Sequence, residues 1–206
     1  MTYHYLAAIG LLGMVMASGC AGSGERMDLT LTMKGGPKEK IATASPALIA
    51  IHPFADDRTD RSHLGTRIHL WGGESHFNLP KSTLGEATAQ AFAEYLRQKG
   101  WQADVATDAS LKGADIIIDG NLVDVSVDAK SSIGQTTLTA KNRIVLQVKN
   151  LTDGSQVRET LTSTGNNQVF WFSPEDAEVL LNDLYRKNFE KFLVDTKLDG
   201  KILKLR

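Results

Sequence analysis

The sequence predicts an α+β domain: a mostly antiparallel sheet of about five to six strands with two amphipathic helices packed on one face. Three observations lead there. Residues 83–99 and 173–197 carry apolar side chains at helical spacing. Residues 135–149 alternate apolar and polar positions, the period of a strand with one wet face. Asn150-Leu151-Thr152-Asp153-Gly154 then supplies a hairpin turn with an Asp-Gly step, so the next segment returns antiparallel.

Each element has a local reason. Met27, Leu29, Leu31 and Met33 alternate with Asp28, Thr30 and Thr32 as a half-buried strand, which Gly35-Gly36-Pro37 ends. Residues 47–54 read as a buried strand, followed by the acidic-basic turn 55–61. Residues 67–71 form a short strand closed by Gly72-Gly73. The first helix places Leu84, Ala87, Ala91, Phe92, Tyr95 and Leu96 on one stripe. Thr83 and Glu86 fit a capping box, and Gly100 fits a stop. Residues 101–106 are a strand. The long strand 114–128 changes apolar parity between Ile116, Ile118 and Val123, Val125, Val127, which predicts a bend or bulge near Gly120. Strands 135–149 and 155–165 follow. Ser173 caps the second helix, Pro174 takes its first position, and Phe172 can staple onto Ala177. Leu181, Leu184, Tyr185, Phe189, Phe192 and Leu193 carry its apolar face. The basic tail 201–206 suits a short edge strand.

Composition narrows the function. Of 206 residues, 23 are Lys or Arg and 24 are Asp or Glu, for a net charge of -1. A nucleic-acid binder needs a cationic face that this balance does not supply. With 42% hydrophobic residues the chain can build a core. The single cysteine, Cys20, excludes an intramolecular disulfide and a Cys-rich zinc site.

The amino-terminal segment says where the protein goes. Residues 1–19 contain no Lys, Arg, Asp or Glu, and 5–17 are apolar. That run matches a signal-peptide core and is shorter than the ~20 residues of a membrane span. Ala17-Ser18-Gly19 precede Cys20, and small residues before a cysteine resemble the bacterial lipobox, whose cysteine is acylated and becomes the new amino terminus. The expected organisation is a signal peptide over 1–19, a lipidated tether and strand over 20–46, and one α+β domain over 47–206. Ala21 stands where inner-membrane retention uses Asp, which points to the periplasmic face of the outer membrane in a Gram-negative cell. The expected modification is a covalent lipid on Cys20, with no other cofactor.

The order of motifs resembles the YajG-like bacterial lipoproteins. Ala55-Asp56-Asp57-Arg58-Thr59-Asp60 follows the first core strand, and the first helix ends in Lys99-Gly100-Trp101. Ala114-Asp115-Ile116 opens the long strands, Leu151-Thr152-Asp153-Gly154 joins two of them, and Leu180-Leu181-Asn182-Asp183-Leu184 lies in the closing helix. The resemblance covers 47–197 together with Cys20. It implies a periplasm-facing outer-membrane lipoprotein and no known activity, so it places the protein without explaining it.

Candidate chemistry is sparse. His63, His69 and His76 fall close together but match no zinc spacing. Asp56, Asp57 and Asp60 are oxygen donors in a turn that lacks the glycine and closing Glu of a calcium loop, and Arg58 and Arg61 stand among them to neutralise them. Asp115, Asp119, Asp124 and Asp128 lie along one strand and read as a solvated face. No nucleophile elbow, P-loop or dinucleotide fingerprint occurs. Trp71, Phe170 and Trp171 are the candidate partner-contact residues. The expected function is a non-enzymatic, lipid-anchored module for an envelope protein, glycan or lipid. The alternative is an accessory subunit of an envelope machine, such as a transporter auxiliary or a cell-wall synthase activator. A hydrolase is a third reading without a motif.

Overall fold

The structure is a computed structural model that describes residues 24–33, 47–80 and 82–206. The signal segment, Cys20, Ala21 and the Gly35-Gly36-Pro37 break lie outside the described residues. In chain order the elements are β1 (Glu25–Asp28), β2 (Leu48–Ile51), β3 (Ala55–Asp56), β4 (Gly65–Ile68), β5 (Glu74–Asn78), α1 (Leu84–Gln98) and β6 (Gln102–Val105). There follow α2 (Asp108–Gly113), β7 (Ile116–Ser132), β8 (Gln135–Asn150), β9 (Gln156–Val169), α3 (Pro174–Asp195), β10 (Thr196–Asp199) and β11 (Ile202–Leu205).

The expected sheet is overturned. Among the described residues the chain builds a nine-stranded mixed sheet curled into a half-barrel, a separate two-stranded sheet, and three helices. The antiparallel part, β7 with β8 and β8 with β9, is the part whose hairpin signals are local. The rest is largely parallel: β2 pairs with both β6 and β7, β3 and β4 pair with β7, and β1 pairs with β5. Parallel pairing needs a crossover, and α1 provides the one between β2 and β6. Three of the four residues of β2 are buried, so its composition gives no direction. The missed β5 mixes Ser75 and His76 with Phe77, without clean alternation. The missed α2 has only six residues, too few to show a period.

Several elements follow their local chemistry closely. Thr83 caps α1, with its hydroxyl accepting from the Glu86 N–H at 3.2 Å while the Glu86 carboxylate accepts from the Thr83 N–H at 2.9 Å. At α3, Asp176 accepts from the Ser173 N–H at 2.8 Å. Along β8, alternate residues from Thr136 to Asn150 are buried. The predicted irregularity in β7 is a register shift between Leu122 and Asp124, a short way past Gly120. Gly120 has a different reason, because a Cβ there would lie 2.5 Å from the Phe54 ring. The 27–33 strand is only half realised. Leu29 and Met33 are buried as its alternation requires, but the ladder stops at Asp28. Beyond it, the Thr30 N–H donates to Glu178 Oε1 at 2.6 Å and the Thr32 N–H to Asn182 Oδ1 at 3.0 Å, so helix side chains replace the neighbouring strand.

One core runs beneath the sheet and joins α1 to α3. Phe92 meets Phe189 at 4.7 Å and Phe192 at 5.3 Å between ring centroids. The buried Tyr185 hydroxyl lies 3.0 Å from Thr88 Oγ1. The first turn of α1 sits tightly against the end of β2, where the Phe54 N–H donates to the Gly85 carbonyl at 3.2 Å. A Cβ at Gly85 would stand 1.9 Å from the Phe54 carbonyl oxygen. Helix propensity alone favours Gly85→Ala by about 1 kcal/mol. The close approach reverses that sign, and Gly85→Ala is expected to cost about 1–3 kcal/mol in chemical denaturation.

Candidate functional site

Three loops meet at one end of the sheet. The first is the β4–β5 turn, in which the His69 N–H donates to the Gly73 carbonyl at 3.1 Å. Gly72 and Gly73 both hold left-handed φ values, 87° and 86°, which a side chain would resist. The second is the β7–β8 hairpin, whose two linking residues are Ile133 and Gly134. The third is the link from β9 to α3, containing Phe170, Trp171 and Phe172. Together they enclose an open cleft of about 480 Å³.

This cleft collects all three candidate contact residues, Trp71, Phe170 and Trp171. Their exposures are 87%, 70% and 84%, so none of them serves the core. Phe170 and Trp171 pack edge to face at 5.5 Å. Phe172 turns inward instead, to Phe77 at 6.1 Å and beneath the Arg67 guanidinium, whose carbon lies 4.1 Å from the ring centre. Sequence reasoning passed over Arg67 and Ile133. Arg67 Nε is buried with no hydrogen-bond partner among the described residues. Ile133 is 87% exposed at the hairpin tip, and its signal was an apolar residue in a turn position that ordinarily takes a polar one.

The three histidines divide. His63 and His76 stack with ring centroids 4.6 Å apart. His69 is held by Ser75, with Nε2 and Oγ 2.7 Å apart. This Ser–His contact resembles a nucleophile and its base, but Ser75 is fully buried and no substrate carbonyl can reach its oxygen. No group of three or more His, Cys, Asp or Glu side chains among the described residues is placed to hold a metal ion.

The aspartates also divide. Asp56 grips Arg58 with both oxygens, at 2.9 and 3.0 Å. Arg58, only 8% exposed, donates onward to the carbonyls of His63 at 2.9 Å and Val125 at 3.2 Å. Burial pushes the Asp56 carboxyl up, but the Arg58 hydrogen bonds and charge outweigh it and hold the group below its ordinary 3.8. Asp57 accepts from Asn121, and Asp60 accepts from Ser62. Along β7, Asp115 binds Lys201 at 2.8 Å, Asp119 binds His52 at 2.7 Å, Asp124 faces Lys141 at 3.9 Å, and Asp128 accepts from the Thr66 N–H at 2.9 Å. Each acid has its own partner, so they form no paired acid and base.

One carboxyl is perturbed in the other direction. Both oxygens of Glu159 on β9 are buried without a hydrogen-bond partner, 3.7 Å from Lys191 Nζ. Burial first, and the neighbouring Asp195 next, push Glu159 up to about 7, while Lys191 pulls it down. The same Lys191 hydrogen-bonds Asp195 and holds that carboxyl low. The group lies under α3 and not in the aromatic cleft, so it bears on stability.

No family model matches the chain, and no curated protein does. Among solved structures it is similar to protein XCC0632 from Xanthomonas campestris, at 9% identity and TM-score 0.48, covering 82% of this chain and 92% of that one. It is also similar to an uncharacterised protein at 9% identity and TM-score 0.49, covering 82% and 97%. A third is lipoprotein GNA1162 from Neisseria meningitidis, at 11% identity and TM-score 0.37, covering 69% and 97%.

Two variants test these assignments. Arg58→Ala leaves a carboxylate and two carbonyls without their donor and is expected to cost about 3–5 kcal/mol in denaturant melts. Because Asp56 is depressed, its contribution is complete above 3.8 and fades as pH falls further. Glu159→Gln acts oppositely. The wild-type group is raised from 4.5 to about 7, so its ionisation weakens the fold as pH climbs through that window. Glu159→Gln should therefore raise Tm by roughly 2–4 °C at pH 8, and the gain should vanish near pH 5.

Proposed function

We propose that this chain is an exported lipoprotein, acylated at Cys20, that works as a non-catalytic binding module of the bacterial envelope, on the periplasmic face of the outer membrane in a Gram-negative cell. Its contact surface is the aromatic cleft. The observation that carries the reading is the convergence of Trp71, Phe170 and Trp171, each at least 70% exposed, on one cleft that no carboxylate lines. Large rings left in water are retained where something covers them. The small-residue run before Cys20 and the resemblance to YajG-like lipoproteins support the anchor. No helix among the described residues is long and apolar enough to cross a membrane.

Non-catalytic binding agrees with the cleft chemistry. Its lining holds Arg67 and His69 but no carboxylate. The one serine held by His69 is buried. An accessory role in a larger envelope assembly uses the same surface and differs only in what covers it.

Acylation is checked by labelling cells with palmitate. The wild-type chain should take up label and float with membranes, and Cys20→Ala should lose both. Undiminished label in Cys20→Ala would refute the anchor.

A further inference from the structure

The aromatic end and the anchor point the same way. Among the described residues, the large apolar side chains at least 70% exposed are Trp71, Ile133, Phe170 and Trp171, and all four lie at this end. The three loops that present them, 69–73, 131–137 and 165–172, contain no Lys, Arg, Asp or Glu. They are built from Trp, Phe, Ile, Leu and Val set among Ser, Thr, Gly, Asn, Gln and His69. This composition suits a water–lipid boundary, where an indole keeps its N–H wet and its ring dry and a formal charge is expensive.

The path of the chain adds an independent constraint. β1 runs parallel to β5, pairing Glu25 with Ser75, and the Gly24 N–H donates to the Glu74 carbonyl at 2.6 Å. Glu74 directly follows the Gly72-Gly73 turn. The chain therefore enters the fold beside Trp71. Cys20 precedes Gly24 by four residues, and even a fully extended segment of that length reaches only about 14 Å. A lipid on Cys20 brings this end of the molecule to the bilayer.

We propose that the aromatic end docks on the phospholipid surface that holds the anchor, with Trp71, Ile133, Phe170 and Trp171 seated at the acyl boundary. Arg67 stands behind them on β4, toward the headgroup layer, with a buried Nε that no described residue satisfies. Exposed Lys130, paired with Ile68 across β7 and β4, adds a second cation. The proposal rests on the anchored reading above and names the partner of that surface. Docking adds a second lipid attachment to the acyl anchor, and two attachments fix an orientation that one leaves free.

The test uses full-length lipidated protein in vesicles of phosphatidylethanolamine and phosphatidylglycerol, with and without acyl chains brominated near the headgroup. Three single-tryptophan proteins retain Trp71, Trp101 or Trp171, the other two being replaced by Phe. Trp71 and Trp171 should each lose emission roughly twofold on brominated lipid, as interfacial indoles do, while Trp101 stays constant. Equal emission from Trp71 and Trp171 on both lipids, in protein that floats with the vesicles, overturns docking and leaves the anchor standing. Protein that carries no acyl group and does not float overturns the anchor instead. A photo-reactive residue at Ile133 provides a second readout in cells: phospholipid adducts support docking, and exclusive crosslinks to one protein overturn it.

Discussion

The fold depends on completing the open edge of β7. One edge of this 17-residue strand is paired along its whole length by β8. The other edge has no single partner. β2 covers Ile116 to Ile118, β3 covers Asn121 and Leu122, and β4 covers Ala129 and Lys130. Arg58 fills the interval between β3 and β4, with its guanidinium on the Val125 carbonyl. A backbone carbonyl without a donor in a buried setting costs as much as a lost hydrogen bond. Asp56 neutralises the cation that meets this need. The acidic-basic turn, which reads in sequence as a turn with local ion pairs, does pair Asp56 with Arg58, and it is also a structural splice.

The same economy separates charge from contact. Asp119 with His52 and Asp124 with Lys141 are separate pairs along β7, each worth little to stability because solvent screens it. The loops at the sheet's end carry no formal charge, and Trp71, Ile133, Phe170 and Trp171 there stand outside the core. Paired charge and exposed apolar surface therefore occupy different regions of one small fold.

How much of this was legible in the sequence depended on range. Thr83 with Glu86, Ser173 with Asp176, and the Asp153-Gly154 turn act within a few residues, and each appears where its chemistry placed it. The alternation along β8 was equally plain. Strand direction was not, since β2 finds β6 only after a helix has intervened, and four apolar residues carry no record of that journey. The site was partly legible. Trp71, Phe170 and Trp171 stood out as residue types, but their meeting requires two elements a hundred positions apart to end at the same level of the sheet. Ile133 had a local signal as an apolar residue in a turn, whereas Arg67 could be recognised only once that level was known.

The length of β8 has a further consequence. Sixteen residues of strand span about 50 Å of contour. Its first residue lies at the aromatic end. Its last, Asn150, clasps the β10–β11 hairpin through reciprocal hydrogen bonds with Leu203 at 2.9 Å each. The molecule is therefore a ruler with unlike ends. A fluorophore or fusion placed on that hairpin would ride far from the end where Gly24 enters, and would report the tilt of the whole body relative to whatever the other end touches.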